Sequence, residues 1–152
     1  LHPNLQVWFD VAEFRAGLSA WQSSQDVNAL TDVVDLYAGD FLSDCYMNWC
    51  VEEREVLRVR CLDSLERLAE RLLARRQYRR TVQALRRALE LEPARETFHQ
   101  QLMRAFALSG QRSRALAQYG KCRLALEHEL DAAPSQATDD LYSRILNEVP
   151  LD

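Results

Sequence analysis

Apolar residues recur every third or fourth position along most of this chain, which is the spacing of one face of a helix. Val11, Phe14 and Leu18 form the first such face, in a helix predicted over 10–21, and Asp10 and Glu13 stand as a capping box at its start. Residues 1–9, LHPNLQVWF, alternate apolar and polar positions around a proline and predict an extended lead-in. Asp26 is placed to cap a second helix carrying Val27, Leu30, Val33, Val34 and Tyr37, with Gly39 placed to end it. A long helix follows over 50–76, its apolar side made of Val51, Leu57, Leu62, Leu65, Leu68 and Leu72. Further helices are predicted over 78–91, 95–108, 112–130 and 136–147, separated at Pro93, Gly110 and the AAPS of 132–135. The segment YAGDFLSDCYMNW between the second and third helices is too aromatic to be solvated, so Phe41, Leu42, Tyr46 and Trp49 are expected to tuck back onto the helices.

Two stretches of the pattern match each other. Residues 62–95 and 96–129 align without a gap at a period of 34. Leu68 and Ala69 match Leu102 and Met103, Leu72 matches Phe106, Val82 matches Leu116, Leu85 matches Tyr119, and Ala88 matches Cys122. Thr81 and Ala115 are the small residues where the two helices of each unit cross. Two helices per unit at this period resemble tetratricopeptide repeats, and LELEP closes the first unit as that pattern requires. The second unit lacks the closing proline, so its last helix is expected to run on toward Asp131. The fold class that follows is all-α: a tetratricopeptide-like right-handed stack of antiparallel helix pairs, about seven helices in all.

Composition agrees with this and adds an asymmetry of charge. With four Gly and four Pro in 152 residues, helix breakers are scarce. The net charge is −4, but residues 1–53 carry one Arg against nine acids (−8), residues 54–87 eleven Arg against four (+7), and residues 88–152 seven basic against ten acidic groups (−3). The basic block raises the question of nucleic acid. In the helix from Tyr78, the core side is expected to be Tyr78, Val82, Leu85, Ala88 and Leu89, which leaves Arg79, Arg80, Arg86 and Arg87 on the solvent side. Without interleaved aromatics or a recognition-helix pattern these arginines make a poor DNA reader, and a protein-facing surface or a merely solvated face is the better reading. In a stack of this kind the first helix of each unit lines the concave side, which here includes Glu66, Arg67, Glu70, Gln100, Gln101 and Arg104 as candidate groove residues.

Chemistry is sparse. Cys45, Cys50, Cys61 and Cys122 have neither zinc nor redox spacing and are expected to be buried or half-buried free thiols of a cytoplasmic protein. Asp40, Asp44, Glu52 and Glu53 lie near one another but lack a histidine or nucleophile, so no catalytic residue is expected. No phosphate loop or dinucleotide fingerprint is present, and neither a cofactor nor a metal is expected. No run is apolar enough for a membrane span.

The segments VWFDVAEFRAGL, YAGDFL, the W…EERE.LR of residues 49–58 and the closing LAL..EL…PS…LY..I resemble, in order and spacing, the bacterial transcriptional activator domain of Streptomyces antibiotic regulatory protein family regulators, over roughly 7–146. The SSQDVN bridge and the cysteines at 45 and 50 depart from that pattern. The resemblance implies a helical domain over 10–149 without enzymatic activity. Residues 1–9 would then be the end of, or the linker from, a winged-helix DNA-binding domain that the chain itself lacks. The implied partners are RNA polymerase, a second protomer or the protein's own winged-helix domain. DNA would be reached only through that absent domain, and no membrane is involved. The alternative is a free-standing tetratricopeptide-type adaptor in an unrelated complex.

Overall fold

The computed structural model describes residues 4–39 and 44–151, with side chains from Val11 onward. Seven α-helices and no strand occur among them: α1 (Asn4–Ser24), α2 (Val27–Asp35), α3 (Asn48–Ala74), α4 (Tyr78–Leu91), α5 (Glu96–Leu108), α6 (Arg112–Leu130) and α7 (Gln136–Leu146). The chain divides into two compact units, residues 1–68 and 69–152.

In the first unit, α1 begins at Asn4, so the backbone of 4–9 is helical and not extended as the alternation suggested; residues 1–3 lie outside the described set. Leu5, Trp8 and Phe9 fit a helical spacing as well as Leu5, Val7 and Phe9 fit a strand, and no Gly or Pro interrupts 4–16, so the helix of residues 10–24 extends backward. Asp10 is therefore interior to α1 and is not its cap. α2 starts as predicted, with the Asp26 carboxylate accepting from the amides of Asn28 (3.2 Å) and Ala29 (3.3 Å). It ends at Asp35 through tight-turn bonds from Leu36 to Val33 and Tyr37 to Val34, so Gly39 is not its stop signal. Where α1 meets α2, Gly17 lies so close to Val33 that an added Cβ would come within 2.4 Å of the Val33 Cγ2 methyl. The core here joins Phe14, Trp21, Leu30, Val34 and Tyr37.

The buried stripe of α3 runs Cys50, Leu57, Cys61, Leu65, Leu68 and Leu72, and Val51 is exposed rather than part of it. Tyr46 (85% exposed) and Trp49 (47%) do not tuck back, contrary to the expectation; Phe41 and Leu42, of which the same was expected, lie outside the described residues. Cys45 and Cys50 also depart from it, since they form a disulfide. Their Cα atoms are 6.1 Å apart because the residues between them make the turn into α3, and Arg54 donates to the Cys45 carbonyl at 3.0 Å. Cys61 and Cys122 are buried thiols outside the disulfide, as expected. The Cys122 thiol is pushed up to about 12 by burial and then by the Glu96 and Asp139 carboxylates.

In the second unit the period of 34 becomes geometry. Arg76 (φ 57°) and Gly110 (φ 76°), 34 residues apart, both adopt the left-handed conformation that ends a helix. The following amides close the same bond: Gln77 to the Leu72 carbonyl and Gln111 to the Phe106 carbonyl, each 2.8 Å. Thr81 and Ala115 are both fully buried, as are Ala88 and Cys122. α5 and α6 pack together and are joined by three residues, which makes them antiparallel. α6 runs on to Leu130, as the missing proline suggested, and ends on a left-handed Asp131. α7 is tied to α5 through Glu96, whose carboxylate accepts from the Ser135 amide (2.7 Å), the Ser135 hydroxyl (2.6 Å) and the Thr138 hydroxyl. His99 is buried between the Pro93 carbonyl and Gln118, each at 2.8 Å. A carbonyl only accepts, so the ring donates from Nε2 to Pro93 and accepts at Nδ1 from the Gln118 amide.

Candidate interaction surfaces

The outward face of α4 is set by which residues its inner face buries. Thr81, Ala84, Leu85 and Ala88 form the buried stripe, whereas Tyr78, Val82 and Leu89 are only half-buried on one flank. The expected core side was therefore turned by about one residue. Small side chains at 81, 84 and 88 let the neighbouring helix approach closely, and the Thr81 hydroxyl is satisfied by the Gln77 carbonyl at 3.1 Å.

The rotation separates the four arginines. Arg79 and Arg86 point away from the buried stripe and are exposed, with neither ion-paired among the described residues. Arg80 and Arg87 lie on the other flank and are half-buried; the Arg80 guanidinium donates to Gln77 Oε1 at 2.9 Å. Arg79, Gln83, Arg86 and Glu90 follow one another at helical spacing along the outer face and are all exposed. The surface is thus a narrow row with two outward guanidiniums and two more at its edge, each able to form a bidentate contact to a carboxylate or phosphate once its neighbours release it.

The six groove residues divide between the two units. Glu66 and Arg67 belong to the first unit, where the Arg67 guanidinium lies 5.9 Å from the centre of the Trp21 ring. Gln100 donates to the Thr138 hydroxyl at 2.7 Å and so helps to hold α7. The Gln101 side-chain oxygen is buried without a hydrogen-bond partner among the described residues. Glu70 and Arg104, both in the second unit, meet at one opening, a cleft of about 560 Å³ that also takes in Leu73, Tyr78 and Leu108. Its mixture of apolar floor and opposite charges suits an extended peptide better than a reaction.

Two features were not anticipated. Trp49, Val56 and Val59 are exposed on α3 on the side away from its buried stripe. Their spacing of seven and three residues was readable in the sequence, but they were not separated from the core positions between them. The second is a cleft between α1 and α3, lined among others by Arg15, Arg60 and Arg67. The seven-residue step from Arg60 to Arg67 marks a shared face; the part played by Arg15 needs the tertiary structure. No group of three His, Cys, Asp or Glu side chains among the described residues could hold a metal ion, and no described helix is long and apolar enough to cross a membrane.

Comparison with known proteins gives the architecture a lineage. No curated protein matches the chain. Among solved structures, the Mycobacterium tuberculosis protein EmbR, determined in complex with a low-affinity phosphopeptide, is similar with a TM-score of 0.72 and 26% identity. The match covers 94% of this chain and 39% of that one, so the chain spans well under half of EmbR. The family described as the bacterial transcriptional activator domain matches residues 9–146. That range takes in all of α2 to α7 and nearly all the residues described above: the chain belongs to the bacterial transcriptional activator domain family.

Proposed function

We propose that this chain is the non-enzymatic regulatory and protein-interaction domain of a transcriptional activator, and that it docks on RNA polymerase, a second protomer or a neighbouring domain through the outer face of α4. The observation that carries the reading is the outward pair Arg79 and Arg86, unpaired among the described residues and flanked by Arg80 and Arg87. Exposed arginines contribute little to the stability of a helix, while a desolvated guanidinium–carboxylate pair is strong and directional. The face is too narrow, and the chain too acidic at −4, to read a duplex by itself. DNA is reached through a separate winged-helix domain, and the isolated chain has no promoter preference.

Reconstituted transcription with the activator that carries this domain tests the reading. Arg79→Glu with Arg86→Glu should lower activation without changing promoter occupancy, and Arg80→Glu with Arg87→Glu should add to the loss. Raised salt should weaken the wild-type response in the same direction. Full activation by the four-fold variant would return the face to plain solvation. A second reading is favoured by the cleft at Glu70 and Arg104: a peptide of a partner or of a neighbouring domain could lie there, as in a free-standing adaptor. Loss of activation with Arg104→Glu but not with the α4 variants would select it.

A further inference from the structure

The first unit is strongly acidic: residues 1–68 hold five Arg and twelve Asp or Glu, a net of −7. Three of those five arginines nevertheless converge on one cleft of about 360 Å³ between α1 and α3. Arg15, Ser19 and Gln22 line it from α1, and Arg60, Asp63 and Arg67 line it from α3. Each set is spaced at three or four residues, so each is one stripe of its helix and the two stripes face each other. Like charges gathered in this way repel, and Asp63 is the one carboxylate in the lining. Nothing in the core requires the arrangement, since Arg15, Arg60 and Arg67 are all exposed.

The three guanidiniums are presented differently. Arg15 is paired with Glu53 at the edge of the cleft. Arg67 lies over the Trp21 ring, 5.9 Å from its centroid, while Trp21 itself is buried and fixed. At this distance the ring face attracts the guanidinium and leaves its N–H groups available. Arg60 supplies its backbone carbonyl to the Ser64 hydroxyl at 2.6 Å, and among the described residues its guanidinium has no ion-pair partner. The cleft therefore offers one fork beside an aromatic face, one without an ion-pair partner among the described residues and a third already turned toward a carboxylate, with the Ser19 hydroxyl and the Gln22 amide beside them. Planar N–H forks of this type match the tetrahedral oxygens of a phosphate group.

We propose that this cleft binds the phosphate group of a small phosphorylated ligand, independently of the partner reading given above. The volume is at the lower end of the range for small-molecule sites, roughly 300–1,000 Å³, and fits a compound about the size of a mononucleotide. The acidic surroundings select against a long polyanion, whose neighbouring phosphates would lie against the carboxylates of the same unit, and they tolerate a single compact anion. Asp63 tempers the site, so its charge should weaken the binding.

Isothermal titration of the 152-residue chain with inorganic phosphate and with adenosine monophosphate, at matched ionic strength, tests the proposal. One saturable sub-millimolar site is expected for at least one of them. Tighter binding of the nucleotide identifies a phosphorylated metabolite as the ligand class, and equal binding identifies free phosphate. Arg60→Gln and Arg67→Gln should each weaken the binding about tenfold, the loss of one charge-assisted contact, and Asp63→Asn should tighten it. Arg79→Gln with Arg86→Gln, outside the cleft, should leave it unchanged. Arg60→Gln keeps the test decisive if loss of the Trp21 contact disturbs the fold in Arg67→Gln. The proposal is overturned by the absence of saturable binding at millimolar ligand, by equal loss in the α4 variant, or by weaker binding with Asp63→Asn. It is also overturned by cleft-dependent binding of a DNA duplex when neither phosphate nor the nucleotide binds.

Discussion

Leu85 and Arg86 are adjacent in sequence and lie on different sides of α4, which makes them a sensitive probe of how the helix is turned. Leu85 is fully buried and Arg86 is exposed. Truncating Leu85 to alanine removes three carbons, a transfer loss of about 2.4 kcal/mol at roughly 0.8 kcal/mol per group. If the cavity of roughly 80 Å³ stays open, a further ~2 kcal/mol is lost; partial collapse reduces this. Leu85→Ala should therefore cost about 2.5–4.5 kcal/mol. Arg86→Ala should stay within about 0.5 kcal/mol, because the side chain is exposed, makes no ion pair among the described residues, and the helix tolerates alanine well. Urea unfolding followed by helical circular dichroism measures both, with the denaturant slope as the check that the unfolded states are comparable. Equal losses, or a loss below about 1 kcal/mol for Leu85→Ala, would refute the assignment of the buried stripe and with it the outward direction of Arg79 and Arg86.

Arg76 occupies the left-handed position that Gly110 fills in the second repeat, so Arg76→Gly should stabilise the chain by about 1 kcal/mol and Gly110→Arg should destabilise it by a similar amount, both readable in denaturant midpoints. Gly17→Val should cost about 1–3 kcal/mol by overpacking against the stiff Val33 side chain, measured in the same way. Acid should weaken the fold in two stages. Burial holds the His99 pKa below its ordinary 6.5 despite the Pro93 bond and the nearby Glu96, so its contribution is full above that value and lost as pH falls through the folded one. Burial raises the Glu96 carboxyl, but the Ser135 and Thr138 hydrogen bonds outweigh it and the net pKa lies below 4.5; its contribution is full above 4.5 and is lost further down. His99→Gln should flatten the first stage in a thermal-melting pH series and leave the second in place.

Much of this architecture was legible because helix ends are local events. Asp26 caps α2 through its own carboxylate, and Gly110 ends α5 because glycine accepts a positive φ without cost. Arg76 carries no such signal, and only the period of 34 relates it to Gly110. The start of α1 was missed because LHPNLQVWF fits two periods equally well. The facing of α4 is not legible from apolarity, because Val82 and Leu89 are as apolar as the buried Leu85 yet are only half-buried. At the helix crossing the smaller Thr81, Ala84 and Ala88 occupy the interior beside Leu85, and Val82 and Leu89 move to the flank. The Cys45–Cys50 pair depends on the turn into α3, which no spacing rule describes. The site residues were the least legible part. Gln100 and Arg67 look alike as exposed polar positions, yet one is engaged by Thr138 and the other lies over Trp21.

The claim that α4 presents a docking surface is tested most directly by a photoreactive side chain in place of Gln83, between Arg79 and Arg86, in the activator bound at its promoter with RNA polymerase. A matching probe at Asp32, exposed on α2, serves as the control. A strong crosslink is expected from position 83 to an acidic surface of the polymerase or of a second protomer, reduced by salt, with little from position 32. Comparable crosslinking from both positions, or none from position 83 in an active complex, would contradict it.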